Sequence, residues 1–316
     1  ILGVNFKFLA INICPREVKY LALSIMRVVR FGGVFVLSCL YFGFSGVCVG
    51  QSKSTIVLGP IEGELARKQI PLDLGSTPSN LVPLVSRAIK VHGGLRLETE
   101  KKSKFSISLR QNSESSTSLG IAGGIPKKPL KSFSVSGTTS LETVFKAMDR
   151  VVNEILGIPG FFSGKLSYLS DLGGKKEIFT SNALMSSASP QTSFQKITFN
   201  TSWDNEGKGL FFTSNRKIFN NVYYLDLNSR KISTIASYKG SNLRAVQNPR
   251  TPQLALILSA SGNPDVWLAD NAKSRPRKLT NNRSNESGPC WSPDGRRMIV
   301  TSDSRGKPQL YEVSLS

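Results

Sequence analysis

PCWSPDGRRMIVTSDSRGKPQLYEVSLS, residues 289–316, is organised around two turn signals. In Pro293-Asp294-Gly295 the proline presets φ, the aspartate bonds its own backbone and the glycine accepts positive φ. Met298-Ile299-Val300-Thr301 follows as a strand, and Ser304-Arg305-Gly306-Lys307-Pro308 turns again. Gln309-Leu310-Tyr311-Glu312-Val313 then alternates polar and apolar, as a half-buried strand does. The unit is turn, strand, turn, strand.

Working upstream, the same unit recurs three times at an offset of 44 residues without a gap. Met298 falls on Leu254, Leu210 and Leu166, and Val300 on Leu256, Phe212 and Tyr168. Leu310 falls on Val266, Val222 and Ile178, and Tyr311 on Trp267, Tyr223 and Phe179. Trp291 reaches Trp203 through a copy that carries Gln247, and Asp270 falls on Asp226. Chance rarely fills four strand positions with apolar residues in four copies when the chain is 39% hydrophobic. A period of about 40–45 residues made of short strands marks propeller blades, small sheets that bury their faces only against neighbours. Closed propellers carry about 4–8 blades, and residues 161–316 supply about three and a half. The expected fold is therefore an incomplete all-β propeller. A two-sheet sandwich is the alternative, and it leaves the spacing accidental.

Residues 51–158 have a different character and read as a small α/β domain. Thr55-Ile56-Val57-Leu58 suits a buried strand, and Pro78 to Val91 a helix capped by Ser76 or Thr77. Phe105 to Leu109 and Phe133 to Val135 alternate as strands, while 111–129, rich in Ser, Gly and Lys, reads as a loop. Thr139 and Glu142 form a capping box for a helix whose apolar stripe runs from Leu141 through Val144, Phe145, Met148, Val151 and Val152 to Leu156, before Gly157.

Ahead of that domain, Met26-Arg27-Val28-Val29-Arg30 opens an apolar run from Phe31 to Val49. A basic start, an apolar core and small residues before Gln51 predict a secretory signal over 26–50, cleaved after Gly50, with 1–25 as upstream sequence. A membrane anchor is the competing reading, and six glycines and serines within the run make a poor lipid-facing helix. Cys14, Cys39 and Cys48 all precede the proposed cut, so only Cys290 remains beyond it. No intramolecular disulfide and no Cys-rich metal site is expected there.

An exported α/β domain, a helix ending in Leu156-Gly157-Ile158-Pro159-Gly160-Phe161 and blades with Trp-Ser-Pro-Asp-Gly together resemble the TolB family. The likeness is carried best by Arg277-Lys278-Leu279-Thr280, Arg283-Ser284-Asn285, Pro289, Trp291 and Thr301-Ser302-Asp303 through Tyr311. It departs at 247–251, Gln-Asn-Pro-Arg-Thr, and at 204–207, Asp-Asn-Glu-Gly, which puts turn-mediated contacts there in doubt. The resemblance implies a six-bladed periplasmic adaptor of the Tol-Pal system without catalysis or a cofactor. Its propeller would bind the peptidoglycan-associated lipoprotein, and its amino-terminal region inner-membrane Tol proteins, in support of outer-membrane integrity and cell division. It also points to a partner-binding rim on segments that precede the first strand of successive blades. These are Lys239, Gly240, Ser241 and Asn242, and Arg283, Ser284, Asn285, Glu286 and Ser287, with Arg283 the leading candidate for a bidentate carboxylate contact.

The residues themselves argue against an enzyme. His92 is the single histidine and, placed after a helix and before Gly93-Gly94, reads as a surface or capping residue. No nucleophile elbow, phosphate-cradling loop or His-Glu-x-x-His occurs, so no catalytic or metal site is expected. Five of the 41 basic and one of the 21 acidic side chains lie in residues 1–50, which leaves 36 against 20 beyond them. Such a surface attracts anionic partners. The clusters at 101–104, 127–128 and 275–278 lack interleaved aromatics, so envelope polyanions or acidic proteins fit better than nucleic acid. A propeller domain of a peptide- or sugar-processing protein is a third class, and it would need convergent carboxylates in the channel.

Overall fold

Continuous apolar runs alternate with turn clusters through the second half of the chain, and the runs at 209–214 and 254–258 become strands buried along their whole length. The structure, a computed structural model, describes residues 11–13, 69–171 and 174–315. The segment read as an export signal and the strand expected at 55–58 lie outside the described residues.

In chain order, β1 (Ile11–Ile13) is followed by β2 (Ile70–Asp73), α1 (Val82–His92), β3 (Leu95–Leu97), β4 (Phe105–Ser113), β5 (Ser116–Gly123), β6 (Lys128–Ser136) and α2 (Ser140–Leu156). Five of these strands form one sheet in the order β3-β2-β4-β5-β6, parallel where β2 meets β3 and β4 and antiparallel beyond. Val85, Ala88 and Ile89 of α1 and Val144, Met148, Val151 and Val152 of α2 bury against Leu72, Ile107, Leu109, Leu119 and Ile121 of the sheet. At the strand ends, burial raises the Asp73 carboxyl, but Lys127, Ser103, Ser106 and the Gly75 N–H donate to it and hold it well below the usual range.

Two expectations change here. Residues 116–123, read as loop, form β5: Thr117, Leu119 and Ile121 alternate inward, and serines and glycines between them hid the period. Helix α1 begins at Val82 rather than Pro78 and has no side-chain cap, because Thr77 Oγ1 instead accepts the Leu109 N–H at 3.1 Å, tying the lead-in segment to β4. Helix α2 starts where the sequence places it. Thr139 Oγ1 accepts the Glu142 N–H at 3.2 Å, while Glu142 reaches back one residue further than a standard capping box, to the Thr138 N–H at 2.8 Å. Thr139→Ala is expected to lower stability by about 1 kcal/mol, measured as the shift in urea midpoint. An unchanged midpoint would show that the Glu142 contacts alone hold this end.

Four small sheets follow. The first contains β7 (Lys165–Ser170), β8 (Glu177–Asn182) and β9 (Ser189–Pro190), with β1 antiparallel to β7 on the inner side. The 44-residue period would put that inner strand at 154–159, where α2 ends, and β1 takes the place instead. The second holds β10 (Thr198–Trp203), β11 (Gly209–Ser214), β12 (Asn221–Asp226) and β13 (Ile232–Ala236). The third holds β14 (Asn242–Gln247), β15 (Leu254–Leu258), β16 (Asp265–Ala269) and β17 (Arg277–Lys278). The fourth holds β18 (Glu286–Trp291), β19 (Met298–Ser302) and β20 (Gln309–Val313).

Successive side chains of the middle strands serve opposite neighbours. Leu210 and Phe212 of β11 pack with Leu169 and Ile178 of the first sheet, and Phe211 between them packs with Ala245, Leu254 and Leu256 of the third. Ala255 and Ile257 of β15 meet Trp291, Met298 and Val300 of the fourth. Two covered faces explain why β11 and β15 read as unbroken apolar runs. In β19 Met298 and Val300 are buried but Ile299 between them is 41% exposed, because among the described residues nothing packs on that face.

The departures from Trp-Ser-Pro-Asp-Gly keep their contacts with other residues. Asn205 N–H donates to Gln247 Oε1 at 3.0 Å and Asn205 Nδ2 to the Asn248 carbonyl, while Asn248 Nδ2 donates to the Gly295 carbonyl at 2.9 Å. Gly295 has φ 71°, and a Cβ there would lie 2.3 Å from Asn248 Oδ1. The turns at this end of the sheets are thus linked from one to the next.

Candidate partner-binding rim

Antiparallel strands put the segments leading into β10, β14 and β18 at one end of their sheets, beside the β11–β12, β15–β16 and β19–β20 turns. The helices lie at the other end, where Arg87 Nη2 donates to the Leu184 carbonyl at 2.7 Å. A cavity of about 730 Å³ there is lined by Glu142 and Lys146 of α2 and by Lys165 and Asn182 of the first sheet. The rim is the face turned away from α1 and α2.

Each lead-in segment is fastened twice. Ser241 N–H donates to Ser259 Oγ at 2.7 Å and Ser259 N–H to the Ser241 carbonyl at 2.9 Å. Gly240 has φ 82°, with Ser259 Oγ only 2.7 Å from where a Cβ would stand. Asn285 donates through N–H and Nδ2 to the two Asp303 oxygens, both at 2.8 Å, which holds the Asp303 carboxyl below its usual range. Asn263 Nδ2 donates to the Ser284 carbonyl from the preceding sheet.

The nine sequence-derived residues therefore divide. Lys239, Gly240, Arg283, Asn285 and Ser287 are exposed, and Ser241 and Ser284 are half-buried. Asn242 and Glu286 are buried and cannot present their side chains to a partner. Asn242 Nδ2 donates to the Asn220 and Tyr238 carbonyls at 3.2 and 3.0 Å. Glu286 accepts from Asn282 Nδ2 at 2.8 Å and from the Thr280 and Ser302 hydroxyls at 3.1 Å each. Both occupy the first position of an inner strand, 44 residues apart, where a polar side chain closes the strand end. Lys239 and Arg283 share another repeat position and make no ion pair among the described residues.

Other basic clusters are partly committed to the fold: Lys127 pairs with Asp73, and Lys278 with the buried Asp265 at 2.8 Å. Sequence reasoning missed an exposed apolar group on the same rim, Ile197, Ile218, Phe219 and Tyr238. The repeat columns could have shown it, since position 218 is glycine in the other three copies, Gly174, Gly262 and Gly306.

A family model described as the TolB beta propeller domain matches residues 152–316. The chain belongs to the TolB family. The Tol-Pal system protein TolB of Bordetella pertussis is 27% identical over 200 residues, 62% of this chain and 45% of the relative. The protein TolB homolog of Chlorobium luteolum is 26% identical over 191 residues, 60% of this chain and 43% of that one. The aligned part spans less than half the length of these TolB relatives. The crystal structure of TolB from Acinetobacter baumannii superposes with a TM-score of 0.67 at 16% identity, covering 79% of this chain and 70% of that one. This likeness shows a TolB-like propeller fold. Among the described residues no helix is long and apolar enough to cross a membrane.

Proposed function

We propose that this protein is a periplasmic adaptor of the Tol-Pal type, with no catalytic step, whose rim binds the peptidoglycan-associated lipoprotein. Residues 51–158 form an α/β domain that contacts inner-membrane Tol proteins, and the propeller has six blades in the whole protein. The reading draws on the TolB relatives and on one observation above all. Lys239 and Arg283, related by the repeat, are exposed on lead-in segments that hydrogen bonds to Ser259 and Asp303 hold in place. Segments held this way have little backbone freedom left to lose on binding, so the cations they carry suit recognition of carboxylates on a partner surface. The open face of β19, with Ile299 exposed, supports further blades beyond the fourth sheet.

The test is calorimetric titration with the soluble domain of the peptidoglycan-associated lipoprotein. Lys239→Ala combined with Arg283→Ala is expected to weaken binding at least about tenfold, or about 1.4 kcal/mol, with a shallower salt dependence. Affinity within about threefold of the parent would place the contact on another face.

A further inference from the structure

We propose that the β11–β12 turn, Lys217-Ile218-Phe219, is a membrane-surface anchor that inserts its two apolar side chains among the lipids of an anionic bilayer. The inference goes beyond the Tol-Pal reading and does not depend on it.

The turn is unlike its three repeats. At the position of Ile218 the other sheets carry Gly174, Gly262 and Gly306, at φ 90°, 118° and 85°. The next position holds Lys175, Asn263 and Lys307 where this turn has Phe219. A glycine and a polar residue are what a hairpin turn at this point uses, so the fold does not call for Ile-Phe. Nor does packing: Ile218 is 78% and Phe219 71% exposed.

The base of the turn is held while its tip projects. The Arg216 guanidinium lies over the Phe194 ring at 4.5 Å and the Tyr223 ring at 5.5 Å. Asn215 N–H donates to the Ile197 carbonyl at 3.2 Å, and Asn242 N–H to the Asn220 carbonyl at 3.1 Å. Those bonds bring Ile197, itself 56% exposed, to one side of the turn and the Tyr238–Asn242 segment to the other. Two large apolar side chains, an aliphatic neighbour and a tyrosine therefore share one edge.

Charge selects the occupant. Lys196, Lys217, Lys239 and Arg283 are exposed on this rim. In the second to fourth sheets the carboxylates at this end, Asp265, Glu286 and Asp303, are each engaged by protein donors. Cations around an apolar tip are what an anionic lipid surface attracts, while the tip enters the acyl boundary. A projecting tip fits a fluid surface without needing a matching pocket, which a protein partner would have to supply.

The test is sedimentation of the full chain with vesicles of phosphatidylglycerol and phosphatidylethanolamine, against vesicles of phosphatidylcholine alone. Binding is expected to the anionic vesicles. Ile218→Gly with Phe219→Asn, which gives the turn the residues of the third sheet, is expected to reduce the partition coefficient at least about tenfold without moving the melting temperature. Independently, Phe219→Trp is expected to add fluorescence that acyl-chain-brominated lipids quench. Equal partitioning of the parent and the double variant, or no quenching at Trp-substituted position 219, would overturn the proposal. So would a parent that ignores vesicles while the double variant loses affinity for the lipoprotein's soluble domain, since the turn would then be a protein contact.

Discussion

Gly160→Ala is expected to lower the unfolding free energy by about 3–5 kcal/mol, the scale of overpacking combined with loss of buried charge-assisted hydrogen bonds. The methyl group would stand 2.3 Å from Asp149 Cα and 2.4 Å from its Oδ1, so backbone and not merely a side-chain tip is in the way. Asp149 on α2 accepts the Phe162 N–H at 2.6 Å and the Ser163 N–H at 2.9 Å, and the Ser163 hydroxyl bonds it as well. Burial pushes this carboxyl up from its ordinary value despite those donors. Pushing residues 160–163 away from α2 would strand the carboxylate and two amides together. Gly157→Ala separates space from conformation. Its φ is 67° but nothing among the described residues lies within 4 Å of the added Cβ, so it is expected to cost only about 1 kcal/mol. Urea unfolding of both variants checks the contrast. A Gly160→Ala protein within about 1 kcal/mol of the parent would mean that the junction between α2 and the first sheet yields, and that the close approach is dispensable.

Much of this fold was legible because a propeller repeats its burial pattern. Met298, Leu254, Leu210 and Leu166 fall in one column and all are buried, since each sits on a strand covered by a neighbouring sheet. The last column is less uniform: Phe179 and Tyr223 are buried, whereas Trp267 on β16 and Tyr311 on β20 are only partly buried. What stayed hidden involved polar residues with inward roles. Asn242 and Glu286 look like rim residues in a linear reading, yet they saturate strand ends through bonds to Asn220, Thr280 and Ser302, at separations of 22, 6 and 16 residues that the 44-residue period does not pair. In β5 Ser, Gly and Ala carry the outward positions, so the composition read as loop while Thr117, Leu119 and Ile121 alternated inward. The place of β1 beside β7 was likewise invisible, because the residues the 44-residue period assigns to that inner position, 154–159, include the end of α2, and a strand from far upstream fills it.

Stability is expected to fall as pH drops from about 6.5 towards 4, through one residue read from sequence as a surface or capping side chain. His92 is buried at the end of α1, stacked on Phe161 at 5.5 Å and tilted against Phe162 at 5.9 Å. Its Nδ1 accepts the Gly94 N–H at 3.3 Å, and among the described residues its Nε2 has no hydrogen-bond partner. Protonation would place a charge against two phenylalanine rings, and burial therefore lowers the imidazole from 6.5 to about 4. Below its ordinary value the unfolded chain takes up a proton that the folded chain refuses, so the unfolded state binds more protons and stability rises with pH across this window. The contribution is complete above about 6.5, falls through the window and is gone below about 4, amounting to at most about 3 kcal/mol. His92→Phe keeps the stacked ring and removes the titration. The difference in urea-derived stability between parent and variant, followed from pH 7 to 4, cancels the carboxylates, Asp149 among them, and should carry the slope by itself. Because the chain holds one histidine, its imidazole proton resonance is a single line whose titration reads the group directly. A midpoint near 4 is expected in the folded protein. A midpoint near 6.5 would mean that water reaches the ring and that the packing between α1 and the Phe161-Phe162 link is looser than the stacked geometry requires.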